Sequence, residues 1–400
     1  MSAIKKPSRR GFIRIAGGGV ILAAGGLALA RCDRMPSEAI TAWRGPVGSG
    51  GDLRMRLIAF AMLAPNPHNR QPWLIDLKTP GRITLYCDRT RLLPATDPYS
   101  RQILIGHGTF LELLAQAAAA TGHRADITTF PKGEFGPEKI DDRPVAEIAL
   151  VKDANAKPDP LFAQILKRRT NREVFDRERP LSADTIAALR ATSLDPAVRL
   201  TTATDATMLP ALRKLAIDSF IKELRTPHTY EESIQLMRIG ASEIAEHRDG
   251  ISIHGPMMWW LRRFGMLDKS ELRDPNSKTF EVGLDMARDQ GGSAMGFFWL
   301  TTADNSRTTQ LKAGRAYVRL HLKATELGLA QQPMSQLLQE YPEMAPLQAS
   351  FLKTVGAKPG ETVQMLARLG YAAPVGPAPR RPLADLILPV GGARSAVPTG

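Results

Sequence analysis

The segment Ala64-Pro65-Asn66-Pro67-His68-Asn69-Arg70-Gln71-Pro72-Trp73 decides how the chain is read. It follows the apolar run Leu57–Leu63 without a break. Proline lacks a backbone N–H and clashes with the preceding helical turn, so a helix beginning near Asp52 must end here. Behind the loop, Leu74–Leu77 and Arg82–Cys87 alternate apolar and polar residues around Thr79-Pro80-Gly81, the pattern of a β-hairpin. The loop is therefore stiff, rich in amides, and set between a helix and a hairpin. Two readings stay open. Asn69, Gln71 and Trp73 wall a flat, polar, aromatic ligand, or the segment is a helix stop with its tryptophan in the core.

The bulk properties are those of a globular protein. The chain has 400 residues, 43% hydrophobic and 23% charged, enough for two ordinary domains or one large one. The net charge is +13, and Lys5, Lys6, Arg9, Arg10 and Arg14 supply part of it before Ala30. No basic stripe interleaved with aromatics follows, so nucleic acid is not an expected partner. The excess charge fits an anionic cofactor or a membrane surface. Cys32 and Cys87 are the two cysteines, which excludes a disulfide framework and a cysteine-rich metal site. The seven histidines show no i, i+4 pair, so no metal site is expected.

Residues 1–30 read as an export signal. Ser8-Arg9-Arg10-Gly11-Phe12-Ile13-Arg14 resembles the twin-arginine motif. The apolar stretch Ile15–Ala30 is too short to span a bilayer comfortably, and Ala28-Leu29-Ala30 is a small-x-small cleavage site. Leu29-Ala30-Arg31-Cys32 leaves lipidation of Cys32 open. The expected location is periplasmic or otherwise extracytoplasmic, with the twin-arginine machinery as a partner. That route carries folded proteins, so an organic cofactor acquired in the cytoplasm is a natural cargo.

The body divides in two. Residues 31–51, with Gly48-Ser49-Gly50-Gly51, read as a linker. Residues 52–155 form a first half, with a long helix over Gln102–Thr121 stopped by Gly122 and a strand over Val145–Val151. Residues 156–388 form a second half. It has helices over Leu161–Arg168, Ser182–Ala191, Leu209–Leu224 and Thr229–Arg248, strands at Leu200–Ala203, Phe297–Thr301 and Leu366–Gly370, and a long helix over Gln310–Gly328. An insertion runs from 222 to 278, irregular and rich in Met and Trp over Asp249–Arg273. Residues 389–400 read as a disordered tail. The two long helices, each closed by glycine, hint at an internal duplication.

Three further motifs carry chemistry. Lys167-Arg168-Arg169-Thr170-Asn171-Arg172 sets four cations around a hydroxyl and an amide, a dense set of donors for phosphate, or a solvated charged face. Gly328-Leu329-Ala330-Gln331-Gln332-Pro333-Met334-Ser335-Gln336 is a helix stop running into proline. Arg380-Arg381-Pro382-Leu383 is a basic pair before a proline.

Together the motifs carry a resemblance. Ala64–Trp73 resembles the A-P-S-x-x-N-x-Q-P-W loop of the FMN-dependent nitroreductase superfamily, most closely its Acg branch. Arg168–Arg172, with Phe175 behind, resembles R-R-S-x-R-x-F. Gly328–Pro333 resembles G-L-G-x-x-x-P, and Pro333–Gln336 is similar to the P-L-S-Q of the Acg branch. Leu369-Gly370-Tyr371 with Arg380–Leu383 resembles the G-Y-P…R-R-P-L ending. The four occur in the family order, and their conjunction is more specific than any one alone. Asn66, Pro67 and one extra residue before Phe175 depart from the pattern.

The resemblance implies an α+β fold of nitroreductase-like three-layer α/β/α type, its two halves forming an internal pseudo-dimer around FMN. It implies that Arg168 reaches the FMN phosphate and ribityl chain, that Thr170 supplies a hydroxyl, and that Arg169 takes a backbone or ribityl role. Arg172 faces the pyrimidine edge. Pro65, Asn66, Pro67 and Asn69 form one wall, Pro333, Met334 and Ser335 another, and Arg380 and Arg381 hold phosphate. No side chain is required as general acid or base. The implied activity is two-electron reduction of a small aromatic or quinone-like substrate, with a quinol or partner protein as donor. The alternative is a flavin store whose insertion lids the FMN. The insertion is otherwise a partner-facing or membrane-facing segment, or simple core packing. The implied assembly is a monomer containing the pseudo-dimer, or a higher oligomer.

Overall fold

The computed structural model describes residues 33–46, 51–263, 265 and 267–389. The leader, Cys32 and residues 390–400 lie outside the described residues.

Helix α1 (Leu53–Ala61) starts where the Asp52 carboxylate accepts the Arg54 N–H at 2.8 Å. Strands β1 (Trp73–Asp76) and β2 (Arg82–Cys87) form the expected hairpin. Helix α2 (Arg101–Ala120), β3 (His123–Thr129) and β4 (Ala146–Lys152) complete the first unit, an antiparallel sheet of order β1-β2-β4-β3. The second unit opens with α3 (Ala183–Arg190), capped by Ser182, and β5 (Arg199–Ala203). An excursion follows: α4 (Leu209–Arg225), α5 (Pro227–Leu236), β6 (Met237–Ile239), α6 (Gly240–His247), β7 (Ile251–Ile253), α7 (Pro256–Arg263), α8 (Lys269–Arg273) and α9 (Lys278–Gly292). The chain then returns through β8 (Gly296–Thr302), α10 (Arg307–Glu326), β9 (Ala330–Pro333), α11 (Ala345–Thr354) and β10 (Thr362–Gly370).

The second sheet has the order β5-β8-β10-β9, also antiparallel. Within its own half this is again first, second, fourth, third, with the long helix after the second strand. The long helices match residue by residue. Arg101, Gly108 and Gly122 correspond to Arg307, Gly314 and Gly328 at one constant offset. Gly122 and Gly328 both take left-handed φ, 73° and 69°, as helix-stop glycines do. A Cβ on Gly108 would overlap the Leu311 carbonyl, and one on Gly314 the Ile105 carbonyl. The helices therefore touch backbone to backbone at their glycines. Buried Arg101 and Arg307 each cross to the other unit, Arg101 donating to Val363 O and Arg307 to Gly136 O and Pro137 O. The duplication read from sequence is a pseudo-twofold in the fold.

Three apolar clusters follow from this arrangement. One joins α1, α2 and the first sheet, with Val318 and Leu322 of α10. A second fills the space between α3, α10 and β8/β10. The third covers the opposite face of the same strands with α4 and α11. The second sheet is thus the middle of three layers, α/β/α, within an α+β protein. Helix α2 is apolar and long enough to cross a membrane, but 83% of its most apolar window is buried inside the protein.

Several boundaries differ from the sequence reading. Residues 33–46, expected as part of a linker, form two short 3-10 turns and bury Trp43, whose Nε1–H donates to Ala378 O at 2.8 Å. The expected helix over Leu161–Arg168 is a 3-10 turn, Pro160–Gln164, because the chain beyond it runs beside β9, Asn171 N–H donating to Gln331 O. The expected helix over Thr229–Arg248 is two, since Met237–Ile239 pairs in parallel with β7 and Gly240 turns at φ 87°. Strand β3 was not foreseen, its alternation being half-buried and exposed rather than apolar and polar. The insertion occupies the whole β5–β8 connection, wider than 222–278. The halves also exchange arms, for Leu388 N–H donates to Ile75 O beside β1.

Candidate functional site

The proline loop is an unusual piece of backbone. His68, Asn69 and Gln71 all adopt left-handed φ, 46°, 51° and 50°. Such conformations cost on the order of 1–3 kcal/mol each for residues with a Cβ, and persist only where the surroundings enforce them. The enforcement is visible. Asn66 Oδ1 accepts the Gln71 N–H at 2.7 Å. Asn69 Oδ1 accepts from Arg380 at 2.8 Å, and its Nδ2 donates to Pro379 O. Gln71 is fully buried, donating to Arg248 O at 2.9 Å and accepting the Arg381 N–H at 2.8 Å. The insertion grips the loop as well, Gly250 N–H donating to Asn69 O. Next to it, Asp249 pairs with Arg91, Arg238 and Arg70 at 2.7, 2.8 and 3.3 Å. Burial raises the Asp249 pKa, but Arg238 and Arg91 outweigh it and hold the carboxyl below the usual range.

Behind the loop lies a set of arginines without carboxylates. Leu63 O accepts from both Arg168, at 2.9 Å, and Arg380, at 3.0 Å. The guanidinium carbons of Arg169, Arg380 and Arg168 stand 4.3, 5.0 and 5.5 Å from the Trp43 ring centre. Among the described residues none of Arg168, Arg169, Arg172 and Arg380 has an ion pair. Burial pushes the Arg168 pKa down to about 10. Burial, then the charges of Arg168 and Arg169, holds Arg380 well below its ordinary value. Arg380 is saturated by Met62 O, Leu63 O, Ala64 O, Pro379 O and Asn69. Arg172 is the opposite case. It has no hydrogen-bond partner among the described residues. Solvent reaches it, yet protein crowds it densely enough to lower its pKa.

Orphaned polar atoms cluster beside these cations. Both amide atoms of fully buried Gln331 lack partners, and Tyr317 Oη lies beside them without a fully formed hydrogen bond. Nδ1 of His68 is buried and unpartnered; burial first, then the charges of Arg172 and Arg70, pushes that imidazole down to about 4. A buried polar group left unpaired costs about 1–3 kcal/mol. Unpaired cations together with paired donor and acceptor orphans fit a large anionic ligand with a polar heterocycle. Two surface depressions, of about 250 Å3 beside Phe175 and Tyr371 and about 410 Å3 beside His247 and Arg381, are not lined by Arg168, Arg172 or Gln331.

The structure brings the four motifs together, but not every residue in the expected role. The Met334 side chain is fully buried in the cluster on the far face of the second sheet, so it is not the side chain that would form a wall. Ser335 is half-buried at the start of a 3-10 turn. Arg381 and Arg380 fasten the C-terminal arm to the loop. Asn66 and Asn69 are committed to loop hydrogen bonds, the Pro65 carbonyl accepts from Thr109, and Pro67 packs over Gly106. Trp73 takes the core alternative, packed on Phe110 at 5.1 Å. Trp43, His68, Tyr317 and Gln331 were missed. Gln331 lay within a quoted motif but before its proline, and Trp43 stood in the presumed linker.

No family model matches this sequence. The Mycobacterium tuberculosis protein named "Putative NAD(P)H nitroreductase acg" is 27% identical over 356 residues, covering 84% of this chain and 95% of the relative. A second, uncharacterized M. tuberculosis protein is 25% identical over 355 residues, covering 82% and 91%. A solved nitroreductase with bound FMN from Desulfitobacterium hafniense superposes with TM-score 0.33 at 15% identity, covering 58% of this chain and 98% of that one.

Proposed function

We propose that this chain is an FMN-binding oxidoreductase of nitroreductase type that carries out two-electron reduction of a small aromatic or quinone-like substrate between its two halves. The observation that carries the reading is the carboxylate-free set Arg168, Arg169 and Arg172 beside the orphaned Gln331 amide. The name of the M. tuberculosis relative and the FMN of the solved nitroreductase support it. FMN, when bound, supplies the two-electron redox centre. Arg168 and Arg169 would hold the phosphate and ribityl chain, with Thr170 adding a hydroxyl. Gln331 and Tyr317 offer a donor and acceptors to a heterocycle edge. Arg172 would offer a positive charge to the negative charge that a bound flavin gains on reduction. The Arg380–Asn69 clamp would keep the loop fixed beside the bound group. A yellow purified protein with flavin absorption supports the reading; colourless protein that takes up no added FMN sinks it.

A second reading is a flavin store. Its support is enclosure: Arg168, Tyr317 and Gln331 are buried, and the insertion grips the loop. Anaerobic reduction by nicotinamide or quinol donors, followed by reoxidation with nitroaromatics or quinones, separates the two, since a store shows no turnover. The electron donor of the enzyme reading is a quinol or a partner protein. Export by the twin-arginine route belongs to the same proposal, and Arg9→Lys with Arg10→Lys should leave the protein in the cytoplasmic fraction. The proposed assembly is a monomer that contains its own pseudo-dimer.

A further inference from the structure

Helix α7 (Pro256–Arg263) serves no role in the site described above. Its sequence, P-M-M-W-W-L-R-R, has no acid and ends in two arginines. Met258 and Leu261 pack inward on the insertion core. Trp260 is 41% exposed, and Arg263, one turn on, shares its outward side. Trp259 is half-buried and meets Trp260 edge-on, ring centres 4.9 Å apart. A large aromatic beside a cation on one exposed helix face is the composition of a segment lying at a membrane interface.

The second observation is where the chain enters. Asp33 is the first described residue, and its carboxylate accepts the Ala241 N–H at 2.6 Å and the Gly255 N–H at 3.3 Å. Its carbonyl also accepts the Gly255 N–H, at 3.1 Å. Gly255 directly precedes α7. The apolar run Ile15–Ala30 ends three residues before Asp33, a reach of roughly 10 Å at most. While the leader is attached, any hold it keeps on a bilayer therefore acts at the foot of α7.

We propose that α7 is a membrane-docking helix, laying Trp260 and Arg263 on an anionic bilayer surface beside the point where the leader joins the body. The aromatic ring sits at the headgroup level, and Arg263 meets lipid phosphate. The inference is independent of the flavin reading.

Tryptophan fluorescence tests it directly, because the other three tryptophans, Trp43, Trp73 and Trp299, are 7%, 0% and 3% exposed. The full-length protein is mixed with phosphatidylglycerol/phosphatidylcholine vesicles, with and without brominated acyl chains. Brominated chains should quench the emission relative to plain ones, and Trp259→Phe/Trp260→Phe should abolish the difference. Arg263→Glu removes one positive and adds one negative charge, so vesicle partitioning should weaken roughly 25-fold, about five-fold per charge. Vesicle binding through the leader without bromine quenching, or quenching that survives the double substitution, would overturn the proposal. Comparing brominated with plain vesicles of one protein cancels any flavin contribution, so colourless protein gives the same lipid result.

Discussion

Arg172 carries a guanidinium with five N–H donors and no hydrogen-bond partner among the described residues, while Arg380 spends its donors on backbone carbonyls and Asn69. That contrast separates residues open to a ligand from residues that build its frame. Arg168→Ala should weaken FMN binding by about 2 kcal/mol, roughly thirty-fold in Kd, the worth of a charge-assisted hydrogen bond. Met334→Leu, a volume-conserving swap in the far core, should leave FMN affinity unchanged and cost less than about 1.5 kcal/mol of stability. Flavin fluorescence titration measures both, and equal losses in the two variants would contradict the assignment. The buried histidines set a pH dependence. Burial pushes His107 down to about 4, and Ile103 O accepts its Nδ1–H. A depressed histidine pKa means stability present above the unfolded pKa of about 6.5 and lost as pH falls towards 4. Burial raises the Asp97 and Glu223 carboxyls to about 6 and 7, and their contribution runs oppositely, lost as pH rises. The difference in unfolding free energy between wild type and His107→Phe, measured from pH 7 to 4, isolates the histidine. It should change by on the order of 3 kcal/mol in the direction of wild-type loss at low pH. A pH-independent difference would show that His107 is not held neutral.

At the scale of elements, the glycine contact between α2 and α10 holds the halves together. Gly108→Ala or Gly314→Ala must push a carbonyl away, and each should cost about 1–3 kcal/mol or more by overpacking. Gly283→Ala, with only the end of Leu224 near its Cβ, lies in a helix and should gain slightly. Denaturant midpoints in that order check the helix interface; a neutral Gly108→Ala would contradict it. The Asp249 cluster ties the insertion to the loop. Asp249→Ala leaves Arg70, Arg91 and Arg238 without it, and should lose about 3 kcal/mol together with FMN affinity. Much of this was legible in the sequence. The hairpin, the long helices with their glycine stops and the Ser182 cap were all read, because turn chemistry and periodicity are local. The burial of Trp43, the break at Met237–Ile239 and the non-helical run 168–172 were not. Each depends on a partner distant in sequence: Ala378, β7 and Gln331 respectively. The site was half legible for the same reason. Its cations announce themselves in a run, whereas Tyr317 looks like one more residue on a core helix.

Across the whole molecule, one chain builds what its topology describes as two similar halves that exchange arms. The C-terminal arm returns to β1, and the segment after the leader packs Trp43 under the arginines of the second half. The halves therefore meet at one candidate site, whose cations, Tyr317 and Gln331 come from the second half and whose loop, with the orphaned His68 Nδ1, comes from the first. That sharing makes the account testable by stoichiometry. The most direct measurement is the visible spectrum and flavin content of the purified full-length protein, before and after incubation with FMN. Flavin absorption with one FMN per chain is expected, lost in Arg168→Ala/Arg172→Ala while the fold persists by circular dichroism. Protein that is colourless, well folded and indifferent to added FMN would contradict it.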